Sequence, residues 1–132
     1  MAKIRHIAYR SQDVEALAKF FVDGLGLDLV QRRGNGAIDL SDGSLNITLL
    51  PMSRPRADGT MPTPGIEHIG FTVTDELAAR ERLVAAGAQE LAHVDLGPVN
   101  YEAKFHGPED IEVDLGLWAG AAPVEEESLA AR

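Results

Sequence analysis

A chain of 132 residues, 45% of them hydrophobic and 25% charged, has the length and composition of one folded domain with a true core. A formal net charge of −9 excludes a general binder of nucleic-acid backbones, which needs a basic face, but not a pocket for a small anion. The absence of cysteine removes disulfides, zinc–thiolate sites and thiol nucleophiles; with neither a signal-peptide core nor an apolar run of about 20 residues, a cytoplasmic protein with no membrane partner is expected.

Residues 3–9 read as a strand with Ile4, His6 and Ala8 on one face and Arg5, Ile7 and Tyr9 on the other. Ser11 or Asp13 caps a helix whose Val14, Leu17, Ala18, Phe21 and Val22 form one apolar stripe, and Gly24 and Gly26 end it. Strands are expected at residues 27–32, 37–40 and 44–50, with turns at 33–36 and 41–43 rich in residues that tolerate positive φ. Residues 51–64 hold four prolines and no periodicity, a linker long enough to carry function. Its Arg54 and Arg56 could neutralise an anionic substrate above a pocket, although loop arginines are more often simply solvated. Beyond it come a strand from Gly65 through His68, a helix over 75–86 with Leu77, Ala79, Leu83 and Val84 inward, and Gly87 closing it. Strands at 89–94, 99–106 and 111–117 follow, then a tail, 119–132, that is frayed or forms a short helix from Glu125.

The order repeats because the sequence repeats. A shift of 62 positions (68 − 6) superposes Ile4 on Ile66, His6 on His68, Ile7 on Ile69 and Asp13 on Asp75. The chain therefore reads as two β-α-β-β-β modules, 3–50 and 66–118, joined by a linker at 51–65 within one α+β domain at 1–118. Strand alternation sends Ile7, Ile69, Phe71 and Val73 toward the helices, with Leu45, Ile47 and Leu49 and then Ile111, Val113 and Leu115 in the last strand of each module. The opposite face collects His6, His68, Asn46, Thr48, Glu112 and Asp114, with small Ala8 and Gly70 beside the histidines leaving room for a guest. Two imidazoles and a carboxylate are the donors of catalytic zinc sites and of non-heme iron centres, and three protein donors leave positions open for substrate. A single strand histidine is more often a hydrogen-bonded or surface residue. Two at matching positions of a repeat favour a metal.

The segments Ile4-Arg5-His6-Ile7, Gly65-Ile66-Glu67-His68-Ile69 and Gly107-Pro108-Glu109-Asp110-Ile111-Glu112-Val113-Asp114 carry a resemblance. Over Ile4 to about Trp118 the chain resembles the vicinal oxygen chelate superfamily of glyoxalases, methylmalonyl-CoA epimerases, extradiol dioxygenases and bleomycin-resistance proteins. The resemblance implies an open, cup-shaped mixed sheet with helices on its outer face, a homodimer, and a divalent metal (iron, zinc, manganese or nickel) inside the cup. His6, His68 and Asp114 match the ligand positions; the family usually has Glu at the last, and Glu112 could substitute. The fourth ligand position falls on Thr48, a poor donor, with Asn46 one pleat away. That departure weakens the glyoxalase and epimerase readings and leaves a set closer to the dioxygenases. Those use a further histidine and a tyrosine near the metal; His106 could join the site, whereas Tyr101 on the other face is structural. Expected roles are substrate binding for Thr48, Asn46 and Arg54, and proton transfer for Glu112 and His106, with Lys104 a further possibility. The expected function is a metal-dependent enzyme on a small molecule with vicinal oxygens, stabilising an enolate-like or oxyanion intermediate. The alternative is a metal-free binding protein of the bleomycin-resistance type, which an aromatic content of only 5% disfavours.

Overall fold

Ten regular elements follow in the computed structural model, which describes residues 2–95 and 101–116. They are β1 (Lys3–Ser11), α1 (Val14–Leu25), β2 (Asp28–Arg32), β3 (Ile38–Ser41), β4 (Asn46–Pro51), β5 (Gly65–Thr72), α2 (Glu76–Ala85), β6 (Gln89–Asp95), β7 (Tyr101–His106) and β8 (Glu112–Gly116). A 3-10 turn, Pro108–Asp110, separates the last two strands. The expected C-terminal tail lies outside the described residues. No helix among those described is long and apolar enough to cross a membrane.

Asp13 and Asp75, one repeat apart, cap the two helices, each accepting a hydrogen bond from a backbone N–H three residues on. Gly26 ends α1 in the left-handed conformation with φ 71°, where a side chain would be strained. Gly24, expected to share that role, lies within α1.

All eight strands form one open mixed sheet in the order β2-β3-β4-β1-β5-β8-β7-β6. In each half the first strand pairs in parallel with the last, β1 with β4 and β5 with β8. The halves meet where β1 runs antiparallel to β5, Ile7 opposite Ile69. This is the α+β architecture expected from the repeat, and the pairing occurs within a single chain.

Two apolar clusters fill the space between sheet and helices. Ala18, Ile38, Leu40 and Leu49 pack with Tyr9, Val14, Leu17, Phe21, Val22 and Ile47 under α1. Ala103, Phe105 and Leu115 pack with Phe71, Val73, Ala79, Leu83 and Val113 under α2. The inward stripe of α1 is as expected; that of α2 is narrower. Leu77 and Val84 are exposed, because at about 100° per residue Leu77 lies about 200° around the helix from Ala79 and Val84 about 100° from Leu83. Leu45 and Ile111, expected on the apolar face, are also partly exposed, since each lies just before its strand begins.

The β1–β5 pairing contains two irregularities that alternation could not reveal. Between Ile4↔Phe71 and His6↔Gly70, β1 carries one unmatched residue, Arg5. Between Ala8↔His68 and Tyr9↔Ile66, β5 carries one unmatched residue, Glu67. Arg5 and Glu67 are equivalent under the 62-residue repeat, so each half has a β-bulge immediately before its histidine. Arg5, expected on the helix face, is instead turned in beside His6, with its guanidinium over Gly70.

Candidate metal centre

The cross-strand register lays two rows of polar residues across the concave face. One runs Gln31–Asp39–Thr48–Ala8–His68–Glu112–His106. The next runs Ser41–Asn46–His6–Gly70–Asp114–Lys104. His6 and His68 therefore project from adjacent central strands, and Asp114 from the strand beside them.

These three side chains converge within one chain. His6 Nε2 lies 3.1 Å from His68 Nε2, His68 Nε2 lies 3.1 Å from Asp114 Oδ2, and His6 Nε2 lies 3.7 Å from the same oxygen. All three residues are buried. Ligands held about 2.1 Å from a divalent ion, at angles between square and tetrahedral, stand roughly 3.0–3.4 Å apart. Two edges of the triangle fall in that range and the third, His6 to Asp114, is longer at 3.7 Å; the donor set suits a first-row dication.

The space beside the histidines differs from expectation. Gly70 leaves no vacancy for a guest: the His6 ring and the Arg5 guanidinium already lie over it. A Cβ at this position would meet His6 Cε1 at 2.4 Å and Arg5 Nη2 at 2.9 Å.

The charges around the two imidazoles differ. Burial, then the neighbouring Arg5 and His68, lower the pKa of His6 to about 2, so it is neutral and offers Nε2 as a donor atom. Burial acts in the same direction on His68, but the surrounding carboxylates outweigh it and raise its pKa to about 10. Asp114 faces Nε2, while on the other side Nδ1 stands 3.0 Å from Glu112 Oε2 and 3.6 Å from Glu67 Oε2. A carboxylate behind a ligating histidine fixes its ring orientation. Burial raises the pKa of Asp114, yet His68 and Lys104 hold it well below the usual carboxylate range. Lys104 Nζ reaches both Asp114 oxygens at 3.0 Å, so the carboxylate has a cationic partner of its own.

The other candidate residues occupy distinct places. Glu112 lies on the Nδ1 side of His68, apart from the His6–His68–Asp114 triangle. It lines the cavity, and among the described residues its buried Oε1 has no hydrogen-bond partner. His106 turns to Asp110, 3.2 Å away, and is not part of the cavity wall. Thr48 lines the cavity and donates to Asp39 Oδ1 at 2.8 Å; Asn46 is buried beneath it, beside His6 in register. Arg54 lines the cavity rim.

The cavity over the triangle has a volume of about 310 Å³ and is roofed by residues 50–57. Arg10, which the sequence did not single out, fastens that roof. Its guanidinium donates to the carbonyls of Pro51 (2.6 Å), Arg54 (2.8 Å) and Pro55 (3.2 Å) and to Glu67 Oε1 (2.6 Å). The bulged Glu67 thus joins the roof anchor to the histidine next to it.

Residues 3–111 match the model of the Glyoxalase/Bleomycin resistance protein/Dioxygenase superfamily. An ethylmalonyl-CoA/methylmalonyl-CoA epimerase from Cereibacter sphaeroides is 30% identical over 101 residues, 69% of this chain and 75% of that protein. Among solved structures, a variant methylmalonyl-CoA epimerase from Streptomyces coelicolor, in complex with 2-nitronate-propionyl-CoA, is similar with a TM-score of 0.69 at 20% identity, covering 86% of this chain and 95% of that one. The Mn(II)-bound glyoxalase from Novosphingobium aromaticivorans also gives 0.69, at 21% identity over 89% of this chain and 38% of that one.

Proposed function

Because the chain belongs to the Glyoxalase/Bleomycin resistance protein/Dioxygenase superfamily, we propose that it is a divalent-metal-dependent enzyme acting on a small molecule with adjacent oxygens. The observation that carries this reading is the triangle of His6 Nε2, His68 Nε2 and Asp114 Oδ2, with edges of 3.1, 3.1 and 3.7 Å, lining a cavity of about 310 Å³. When bound, a divalent ion would act there as a Lewis acid toward substrate oxygens and the negative charge that develops on them.

The chain's own groups supply the rest. Neutral His6 and Asp114 would hold the ion together with His68, whose Nε2 would give up its proton on binding. Glu112 Oε2 orients His68, and Glu112 Oε1, buried and without a partner among the described residues, is the oxygen we assign to accept or return a substrate proton. The roof anchored by Arg10 covers part of the cavity and limits the water that reaches it. Proton transfer next to a carbonyl is the chemistry this arrangement supports best, in keeping with the epimerase relative. A homodimer and a cytoplasmic location belong to the same proposal; all three donors come from one chain, so a dimer is not needed to complete the triangle.

The hold of Lys104 on both Asp114 oxygens favours one second reading, a metal-free cup that binds its ligand without chemistry. Metal analysis of protein purified without chelator separates the two. About one divalent ion per chain, lost in His68→Ala, is expected for the enzyme. No metal as purified and none after reconstitution would leave the binding reading in its place.

A further inference from the structure

Asp39 is fully buried, and its carboxylate accepts from three donors. Gln31 Nε2 reaches Oδ2 at 2.7 Å, Arg33 Nε reaches the same oxygen at 2.7 Å, and Thr48 Oγ1 reaches Oδ1 at 2.8 Å. Asp39 and Gln31 lie behind the wall of the 310 Å³ cavity, whereas Arg33 and Thr48 are part of it. The contact to Asp39 uses only the Nε of Arg33. Among the described residues, its two terminal nitrogens make no hydrogen bond. Arg54 lines the same cavity, and its guanidinium has no ion pair among the described residues.

We propose that Arg33 and Arg54 form an anion subsite, so that the substrate carries a carboxylate beyond the oxygens that meet the His6–His68–Asp114 centre. This rests on reading that centre as a chelating site. The terminal edge of a guanidinium is a planar, two-pronged donor that matches a carboxylate. The other cations of the cavity lining are already matched to carboxylates, Arg10 to Glu67 and Lys104 to Asp114, so among the described residues Arg33 and Arg54 are the ones with terminal nitrogens left for an incoming anion. In a chain of net charge −9, a carboxylate needs such local cations to enter.

The test uses the Mn²⁺-loaded full chain and two probes with the same 2-oxo-acid head, 2-oxoglutarate and 2-oxopentanoate, which differ in the distal carboxylate. Calorimetry should give 2-oxoglutarate an affinity about tenfold higher, as expected for one charge-assisted pair. Arg33→Gln should erase that preference and leave 2-oxopentanoate unchanged. Arg33→Lys, which retains a cation for Asp39, should lose most of the preference while folding normally by circular dichroism. Arg54→Gln, at an exposed position, should reduce it by a few fold. Equal affinity for both probes, a preference that survives Arg33→Lys and Arg54→Gln, or no binding of either probe with or without metal would overturn the proposal. A preference that appears without Mn²⁺ would uphold the anion subsite and sink the metal reading instead.

Discussion

At position 70 the smallest side chain is required by a ring and a guanidinium rather than by backbone conformation, since φ there is ordinary for a strand. Gly70→Ala should displace His6 and Arg5, cost about 1–3 kcal/mol of stability through overpacking, and weaken Mn²⁺ binding, read by urea denaturation and metal titration. Asp114→Asn removes the counter-charge of both His68 and Lys104 and should cost about 3 kcal/mol in the metal-free protein, with the His68 pKa falling in an NMR titration. The two imidazoles also set opposite pH slopes. His68 has a folded pKa raised to about 10, so its stabilisation is complete below its unfolded value near 6.5 and is lost as pH rises toward 10. His6 has a lowered pKa, so stability falls as pH drops below about 6.5. The metal-free protein should be most stable near that crossing, and His68→Ala should flatten the alkaline limb of a urea-midpoint profile. The histidines were legible from repeat and alternation, which also put Glu112 and Asp114 on their face; the choice of Asp114 came from the resemblance. Asp39 was within reach of the same alternation, because Ile38 and Leu40 face the helices and leave it beside Thr48. Arg33 was not, since its role depends on a contact across a hairpin turn.

The elements follow their local signals closely, and the exceptions have physical causes. Capping aspartates, glycine turns and the stripe of α1 are encoded within a few residues, so sequence is enough to place them. The bulges depend on how residues 62 positions apart align across β1 and β5, which no local pattern carries. The roof over the cavity is likewise set by one distant side chain, Arg10. Arg10→Met would leave Glu67 buried without its guanidinium and release three carbonyls, at a cost of about 3 kcal/mol. Trypsin should then cut after Arg56 faster than in the parent protein, with fragments identified by mass spectrometry. Unchanged cleavage rates would mean that the roof is held by other contacts.

Across the whole molecule, two separate apolar clusters are tied together by the β1–β5 ladder and by the charge network over it. Urea unfolding should therefore be a single transition that coincides by far-UV circular dichroism and by amide exchange, and two transitions would show that the halves melt independently. That ladder carries the twin bulges, and they make the frame unequal in one respect. A repeat placing the same charge before each histidine would give both rings the same electrical surroundings. Arg5 beside His6 and Glu67 beside His68 break that equivalence: burial, with Arg5 adding to it, leaves one ring neutral, and Asp114, with Glu112 and Glu67 adding to it, leaves the other charged. A fold built by doubling thus acquires an electrical polarity across its own centre line. A ligand lying over the two rings meets a different environment on each side, and so has only one favourable way to face.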